Sequence, residues 1–434
     1  MLFKLTVLTT QPHRHSRNDE SGKDARNKRG FTFHLFTVKT IRNSRRKRIV
    51  AILESMELTQ KGKADVARRI VSLSREYDIR ILTGTPNECR KLFPGTSVQR
   101  IPRPKSLGGT LLFYFSSCLV LPFLRYDLLF VAESSASPAA LTSMGRPILC
   151  YGNTNPIQQT MYIRRNGHRI ARTKSSIFEL ILGIALRKCD LIVVISPGLV
   201  GAFKSFGVQS TRIKVGGVGV PIHLFNPPNR STDSREKIPR AVYDGAISLG
   251  RGIDVIIDGA RIASRDGGVF RIRLIGCGEE ERLLIHRLAR DKETLGLLEI
   301  VPPIPYERIP MLLWESDFGI SMLEPSVYCN ASPPLKNLEF LAAGLPVIAN
   351  RIDPNLQLLE DQRNALIIEY DSNSFARALL TLTKDERLRA RLSHNALQDA
   401  LEHSDTGPTN ALLQTAKDLM ASGKTARIHE NDCE

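Results

Sequence analysis

Two charged side chains near the start of a short predicted helix are the residues of this sequence best suited to bind a charged ligand. Lys336 and Glu339 stand three positions apart and share one face of the helix, for which Ser332 is a suitable N-cap and Pro333 a suitable first residue. A helix N-terminus beside a cation favours a phosphate, and a carboxylate one turn along can accept from two sugar hydroxyls. The segment therefore predicts a site for a nucleotide sugar, with an ordinary surface ion pair as the alternative.

Two glycine-rich turns upstream each follow a predicted strand and precede a predicted helix. The glycines that permit a ligand to approach the backbone closely are Gly245, Gly250, Gly252, Gly276 and Gly278. Arg251 lies in the first turn, where a bound phosphate would meet it. The second turn lacks the third glycine of a dinucleotide-binding fingerprint, so a plain connection between strand and helix is the alternative there.

In this order, the three segments resemble the donor domain of GT-B glycosyltransferases, in particular glycosyltransferase family 4 (group 1), over about residues 47–419. The resemblance implies a retaining, hexosyltransferase-like enzyme that moves a sugar from a nucleotide-sugar donor to an acceptor hydroxyl, with no metal and no cofactor. Arg251 and Lys336 would offset the charge of the leaving diphosphate, and Glu339 is similar to the family's ribose ligand. The implied donor contacts are Gly245, Gly250, Gly276, Gly278, Ser332 and Leu335.

Three positions depart from the family pattern. Ala246 replaces a cation of the glycine turn, Ala331 replaces the first of two glutamates, and Asn153 replaces a histidine that follows a strand. An asparagine can hydrogen-bond a sugar hydroxyl but cannot transfer a proton. Two alternatives therefore stay open beside the transferase. They are a non-catalytic relative that binds sugar nucleotide or membrane, and a sugar-nucleotide epimerase.

The elements that must position these residues alternate between strands and helices, which is typical of a parallel sheet covered on both faces. The fold class is α/β, and the resemblance implies a GT-B arrangement of two Rossmann-like domains facing across a cleft, with the C-terminal helix returning toward the N-terminal domain. The expected parts are a basic, disordered extension (1–46), an acceptor domain (47–225), a linker (226–240), a donor domain (241–400) and a helix with a tail (401–434). Strands are predicted in the N-terminal half at 48–54, 79–82, 127–131, 147–151 and 191–195.

A cation-rich loop follows the strand that precedes Asn153. With Arg164, Arg165 and Arg169, Asn153 is a candidate for the acceptor side of the cleft, where a lipid-linked phosphate or glycan would bind, and a solvated basic loop is the alternative. The apolar run at 107–124 is short for a membrane span, so we expect a buried or interfacial helix. Together with the basic extension, this run favours peripheral contact with an anionic membrane, at the inner face of the cell membrane.

Charge and cysteine content limit the remaining classes. The 434 residues include 61 Lys and Arg against 44 Asp and Glu, and residues 1–48 hold 13 of the former and 3 of the latter. Such a tail can bind nucleic acid, but the sequence has no aromatic stacking platform, zinc spacing or recognition module.

Seven cysteines without a Cys-x-x-Cys pair predict free thiols, no metal site and a reducing compartment. Because the first ten residues make no convincing signal peptide, we expect the protein in the cytoplasm.

Overall fold

The structure is a computed structural model that describes residues 46–54, 61–103, 109–132, 141–156, 169–227, 238–325 and 333–422. Residues 46–434 form one compact unit, in which two parallel sheets follow one another along the chain. The predicted basic extension lies outside the described residues except for Arg46, and so do residues 228–237 of the predicted linker.

Each sheet takes its strands from one half of the chain. The first contains β1 (Arg48–Leu53), β2 (Asp78–Thr83), β3 (Ser97–Arg100), β4 (Leu128–Ala132), β5 (Ile148–Gly152), β6 (Leu191–Val194) and β7 (Ile213–Val215). The second contains β8 (Arg240–Asp244), β9 (Arg271–Ile275), β10 (Leu298–Val301), β11 (Phe318–Ser321), β12 (Val347–Asn350) and β13 (Ala365–Ile368). Their orders are β3-β2-β1-β4-β5-β6-β7 and β10-β9-β8-β11-β12-β13. The order reverses beside β1 and beside β8, and ligands of such sheets bind at the carboxyl ends of the strands next to the reversal.

Helices connect the strands and cover the sheets. In the first half they are α1 (Lys61–Glu76), α2 (Pro86–Leu92), α3 (Gly109–Val120), α4 (Arg169–Lys188), α5 (Pro197–Lys204) and α6 (Ile222–Phe225). In the second half they are α7 (Ile253–Arg265), α8 (Glu279–Ala289), α9 (Lys292–Gly296), α10 (Ile309–Trp314), α11 (Leu335–Ala342), α12 (Asp353–Leu356), α13 (Ser372–Lys384), α14 (Glu386–Glu402) and α15 (Thr406–Ser422). Helix α7 illustrates their amphipathic pattern, since Ile253, Ile256 and Ala260 recur at helical spacing and are buried in the core of the second sheet.

Helix α15 returns to the N-terminal domain, as the resemblance implied. It packs on α1 and β4, and its residues Leu412, Ala416 and Leu419 belong to the core of the first sheet. The segment after β7 contacts the turn that precedes α15, because Val220 pairs with Ser404 and the Val220 N–H donates to the His403 carbonyl over 2.9 Å. The C-terminal end of the chain therefore stabilises the N-terminal domain directly.

The apolar run at 107–124 forms α3 and a 3-10 helix at Leu121–Phe123, which confirms the expected helix. Phe113, Tyr114 and Leu121 are buried, whereas Leu112 and Phe115 are exposed. Within the described ranges, none of the helices combines the length and the apolar character needed to cross a bilayer.

All five strands predicted for the N-terminal half are confirmed, each to within one residue at either end. The sequence did not predict β3 or β7, because these strands have only four and three residues and expose side chains that make no apolar run. The α/β fold class is confirmed, while the limits of the predicted domains stay predictions.

Candidate active site

The candidate site is built on the turns that follow β8 and β9. Gly245 (φ +134°) and Gly276 (φ +98°) have left-handed backbone, which favours glycine. A Cβ at Gly276 would lie 3.2 Å from the Gly245 carbonyl oxygen, so the two turns touch. The φ of Gly250 is not positive, and a Cβ there would lie at an ordinary 3.7 Å from Glu324 Oε2. The backbone therefore favours glycine at Gly245 and Gly276, while the donor contact of Gly250 stays a prediction.

The predicted cations meet around one buried tyrosine at the end of β8. Lys336 Nζ lies 3.6 Å from the centre of the Tyr243 ring and 3.4 Å from the position that a Cβ at Gly245 would take. The Tyr243 hydroxyl donates to the Ala246 carbonyl over 2.7 Å. Burial raises the pKa of Tyr243, and Arg251 lies close enough to lower it. The structure thus brings Arg251, Lys336 and the Gly245 turn together.

Helix α11 begins later than the sequence predicts. Its N-cap is Pro334 in an extended conformation and its first residue is Leu335, so neither the N-cap role of Ser332 nor the helical position of Pro333 is correct. The reason is local, because a residue that precedes a proline is forced out of the helical region. Ser332 itself lies outside the described residues, and Leu335 is half-buried.

Burial also decides between the two interpretations of the charged pair on α11. Lys336 is 6% exposed and Glu339 is 3% exposed. The alternative of a solvated surface ion pair is therefore excluded. Charged side chains are almost never this deeply buried unless they are paired or serve a ligand.

The second glycine turn leads into a helix with an acidic start. Gly278 is the N-cap of α8, whose first turn carries Glu279, Glu280 and Glu281. These carboxylates complement the helix dipole and would repel a phosphate. The turn at Gly276 and Gly278 therefore suits the uncharged base of a nucleotide, and the diphosphate is better placed at the cations beside Gly245.

Three buried asparagines, which the sequence did not single out, fix the loop that carries Glu324. Asn350 exchanges two 2.9 Å hydrogen bonds with the backbone of Leu323, accepting from its N–H and donating to its carbonyl. Asn355 donates to the Asn350 carbonyl over 2.8 Å and accepts from Asn337 of α11 over 3.0 Å. The loop after β11 is thereby held against the helix that carries Lys336 and Glu339.

Glu339 is linked to the N-terminal domain through one tyrosine. The Tyr306 hydroxyl is hydrogen-bonded to Glu339 and accepts from Arg68 Nη1 of α1 over 3.2 Å. Burial and then the Glu339 carboxylate raise the pKa of Tyr306 well above its ordinary value, and Arg68 lowers it. The ring of Tyr306 packs edge-on against Phe225 at the end of α6, 5.7 Å away. The predicted ribose ligand is thus held by a chain of contacts that crosses between the two domains.

A buried ionic cluster continues this chain to the end of β5. The fully buried Arg69 donates to Tyr151 (3.1 Å) and to Thr409 of α15 (2.6 Å), and it ion-pairs with Asp65 (3.1 Å) and Asp405 (2.8 Å). Burial alone would lower the pKa of Arg69, but Asp65, Tyr151 and Asp405 raise it above its usual range. One feature of the sequence could have indicated this cluster. Asp65 and Arg69 stand on the face of α1 that also carries the buried Val66 and Ile70.

Of the predicted acceptor residues, the structure places Asn153 at the carboxyl edge of the first sheet. Asn153 follows β5 directly and is half-buried, two positions after Tyr151 of the ionic cluster. Arg169 is the first residue of α4, while Arg164 and Arg165 lie outside the described residues. Tyr306 also lines a cavity of 940 Å³, together with residues of α1, of α6 and of the start of α15. Within the described ranges, no three His, Cys, Asp or Glu side chains form a group that could hold a metal ion.

Comparison with known proteins identifies the second half of the chain. Residues 229–399 match the family described as Glycosyl transferases group 1. The amylovoran biosynthesis glycosyltransferase AmsK of Erwinia amylovora is 27% identical over 184 residues, which are 42% of this chain and 44% of that protein. The chain spans about half the length of the curated relatives it matches, between 44% and 55%.

Solved structures resemble the whole fold. Sucrose-phosphate synthase from Thermosynechococcus elongatus has a TM-score of 0.69 at 14% identity, covering 87% of this chain and 100% of that one. HepE of Anabaena, in complex with UDP-glucose, has a TM-score of 0.67 at 15% identity, covering 86% of this chain and 99% of that one. These likenesses confirm the predicted GT-B arrangement, and the family match confirms the group 1 resemblance, while the narrower assignment to family 4 stays a prediction.

Proposed function

From the premise that this chain carries a group 1 glycosyl transferase domain within a GT-B fold, we propose that the protein transfers a sugar from a nucleotide-sugar donor to an acceptor hydroxyl. The observation that carries the proposal is the position of Lys336 against Tyr243 and the Gly245 turn after β8, close to Arg251 in the following 3-10 turn. Two cations beside a glycine turn match the diphosphate of such a donor. Glu339, one helical turn beyond Lys336, is positioned to accept from the ribose hydroxyls.

In the proposed reaction, the acceptor oxygen bonds to the anomeric carbon as the bond from that carbon to the diphosphate breaks. The departing phosphate oxygen takes the acceptor proton, and attack on the face that the diphosphate leaves gives retention. Asn153, which cannot carry a proton, is compatible with this route because no enzyme base is required. Arg251 and Lys336 would stabilise the leaving diphosphate electrostatically, so the reaction is proposed to proceed without a metal.

The names of the relatives support a proposal for the donor and for the acceptor. HepE was crystallised with UDP-glucose, which makes a uridine nucleotide the first donor to test. AmsK is named for the biosynthesis of amylovoran, which supports a growing glycan as the acceptor of this chain. We further propose that the glycan is lipid-linked, at the cytoplasmic face of the cell membrane, where the basic surface of the protein would hold it.

The test is release of nucleoside diphosphate from UDP-, GDP- and ADP-sugars, with polyprenyl-phosphate-linked glycans as acceptors. We expect turnover with one nucleotide, and loss of that turnover in Lys336→Met, which keeps the length of the buried side chain and removes its charge. Lys204→Met, at an exposed position at the end of α5, is the matched control and should leave the rate unchanged. Equal rates in the two variants would remove Lys336 from the donor site.

Two other outcomes separate the alternatives. Nucleotide binding that Lys336→Met abolishes, without turnover on any acceptor, would assign the chain to the non-catalytic relatives. Conversion of the donor into an epimeric sugar, with no acceptor present, would identify an epimerase. The three departures at Ala246, Ala331 and Asn153 are the reason to include both measurements.

A further inference from the structure

The outer face of α3 exposes large apolar side chains between Leu112 and Leu119, which is unusual for an exposed helix. Leu112, Phe115 and Leu119 recur on this face, and Phe123 extends it through the following 3-10 helix. Phe115 is 61% exposed and Phe123 is 86% exposed. A helix that is apolar on all sides is normally buried, and here the inner face already packs in the core through Phe113 and Tyr114. The outer face therefore lacks the partner that its composition requires.

The loop between β4 and β5 widens this apolar face. Met144, which is 73% exposed, and Leu141 flank Thr142, which is hydrogen-bonded to Cys118 of α3. Arg146 donates to the Leu124 carbonyl over 2.8 Å and stacks on Tyr126, 4.5 Å from the ring centre. The loop is thus fixed beside α3, and we name the exposed residues Leu112, Phe115, Leu119, Phe123, Leu141 and Met144 the apolar face.

A cavity lined by arginines adjoins one end of the apolar face. It has a volume of 590 Å³ and lies at the amino ends of β1 and β2, where Arg46, Arg48, Arg80 and Arg125 surround it, with Asp78 as its one acidic residue. Phe123 and Leu124 line the same cavity, so the apolar face and the arginines form one continuous surface. Among the described residues, none of these four arginine side chains forms an ion pair. Cations that lack protein partners and border an apolar surface match an anionic headgroup with its acyl chains.

The sequence around α3 carries the same charge pattern. Between residues 89 and 126 there is no Asp or Glu, while the cations are Arg90, Lys91, Arg100, Arg103, Lys105 and Arg125. Arg103 ion-pairs with Glu54 over 3.0 Å, whereas the arginines of the cavity make no ion pair with any residue in the described part of the chain. This positive charge would repel a second copy of the same surface. It would also repel residues 1–45 as a covering segment, because they hold 10 Lys and Arg against 3 Asp and Glu.

We propose that the apolar face and the arginine cavity form one docking surface for an anionic lipid bilayer. The aromatic and aliphatic side chains of α3 enter the interface between headgroups and acyl chains, while Arg48, Arg80 and Arg125 bind lipid phosphates. The docking surface includes the amino edge of the first sheet, whereas the proposed donor chemistry lies at the carboxyl edge of the second. Binding can therefore be measured without donor or acceptor, and its outcome is independent of the proposed transferase activity.

The experiment is co-sedimentation of the full chain with phosphatidylcholine vesicles, with and without 30% phosphatidylglycerol. Two double variants probe the surface, Phe115→Ser with Phe123→Ser and Arg80→Gln with Arg125→Gln. Leu283→Ser with Arg287→Gln is the control, because Leu283 is 63% exposed and both residues lie on α8 of the other domain. All six substituted side chains are exposed, so none of the changes disturbs the core. Thermal unfolding should show that each variant folds.

We expect binding to vesicles that contain phosphatidylglycerol and little binding to phosphatidylcholine alone. An arginine near an anionic leaflet contributes about 1 kcal/mol, or about fivefold in partitioning, so the arginine variant should bind about 25-fold more weakly. The phenylalanine variant should lose at least about tenfold, because each ring loses its apolar burial in the bilayer. The control should bind like the wild type.

Three results would overturn the proposal. They are equal binding of both surface variants and the wild type, equal binding to neutral and anionic vesicles, and no binding to any vesicle. A dimer in size-exclusion chromatography that Phe115→Ser with Phe123→Ser converts into a monomer would instead assign the apolar face to a second copy of the chain.

Discussion

Replacement of Arg69 by methionine is the perturbation whose effect the structure predicts most directly. The guanidinium group is fully buried and bonds Asp65, Tyr151, Asp405 and Thr409, which come from α1, β5 and the start of α15. Methionine fills most of the same volume, so the main loss is electrostatic. Removing one partner from a buried ion pair costs about 3–5 kcal/mol, because the remaining charge stays buried without compensation. Here Asp65 and Asp405 lose the fully buried one of the two cations that they share, and the half-buried Arg68 remains.

The assay is urea unfolding followed by circular dichroism, with hydrogen exchange of residues 406–422 as the local measurement. We expect the free energy of unfolding to fall by about 3–5 kcal/mol, with faster exchange in α15, which Arg69 ties to the N-terminal domain. Arg363→Met is the control, since Arg363 makes a bidentate contact with Asp399 at the protein surface, where an ion pair contributes little. A loss in Arg69→Met no larger than in this control would refute the electrostatic account of the cluster.

The loss should also depend on pH. Burial raises the pKa of Asp405 above its ordinary value, although Arg69 and Arg68 lower it. The folded state therefore favours the protonated acid, and the stability that this protonation adds is lost as pH rises through the raised pKa. Without Arg69 the pKa of Asp405 should rise further. The difference between wild type and variant should be largest near neutral pH and should shrink as the solution is acidified toward pH about 4.

Three further predictions concern single positions. Gly219→Ala should destabilise the fold, because the new Cβ would lie 2.6 Å from Asp405 Cα. Gly201→Ala should not, because a Cβ there would have no atom within 4 Å. Thermal unfolding of the two variants tests the difference. Burial raises the pKa of Cys277 to about 11, so its thiol is protonated at pH 8. The native protein should therefore resist alkylation of Cys277 by iodoacetamide at that pH. Rapid alkylation, measured by mass spectrometry, would contradict this. Tyr306→Phe should lower the free energy of unfolding by about 1.5–3 kcal/mol, because it removes the hydroxyl between Arg68 and Glu339. It should also raise the donor KM more than it lowers kcat. Unchanged kinetics would separate Tyr306 from the ribose site.

The glycine turns and the helix between Lys336 and Gly344 could be predicted because each rests on local rules. Gly245 and Gly276 have the positive φ that glycine favours, and Gly344 (φ +67°) follows the C-cap of α11, where glycine is common. The start of the same helix was predicted two residues too early, because the N-cap is Pro334 and not Ser332. Two successive prolines satisfied the rule for a first helical residue, and the restriction on the residue before a proline, which the prediction omitted, decided the outcome.

The contacts of Glu339 could not be predicted because they join distant parts of the chain. Arg68 is 238 positions from Tyr306, and Arg69 is 340 positions from Thr409. Neither helix α1 nor α15 carries a motif that marks these residues, and a charge on an amphipathic helix is ordinarily solvated. Only the packing of α15 and Tyr306 on α1 turns Arg68 and Arg69 into buried ligands of carboxylates and hydroxyls.

The most direct test of the proposed donor site is titration calorimetry of UDP, GDP and ADP into the wild type, Arg251→Ala and Arg265→Ala. Arg251 ends the 3-10 turn Leu249–Arg251 just before α7, and the exposed Arg265 ends α7. If Arg251 and Lys336 bind the diphosphate, one nucleotide should bind the wild type and Arg265→Ala equally. Loss of a charge-assisted hydrogen bond worth about 1.5–3 kcal/mol should weaken binding to Arg251→Ala by roughly 10- to 150-fold. Equal affinity in all three proteins, or no binding of any nucleotide, would contradict the donor site.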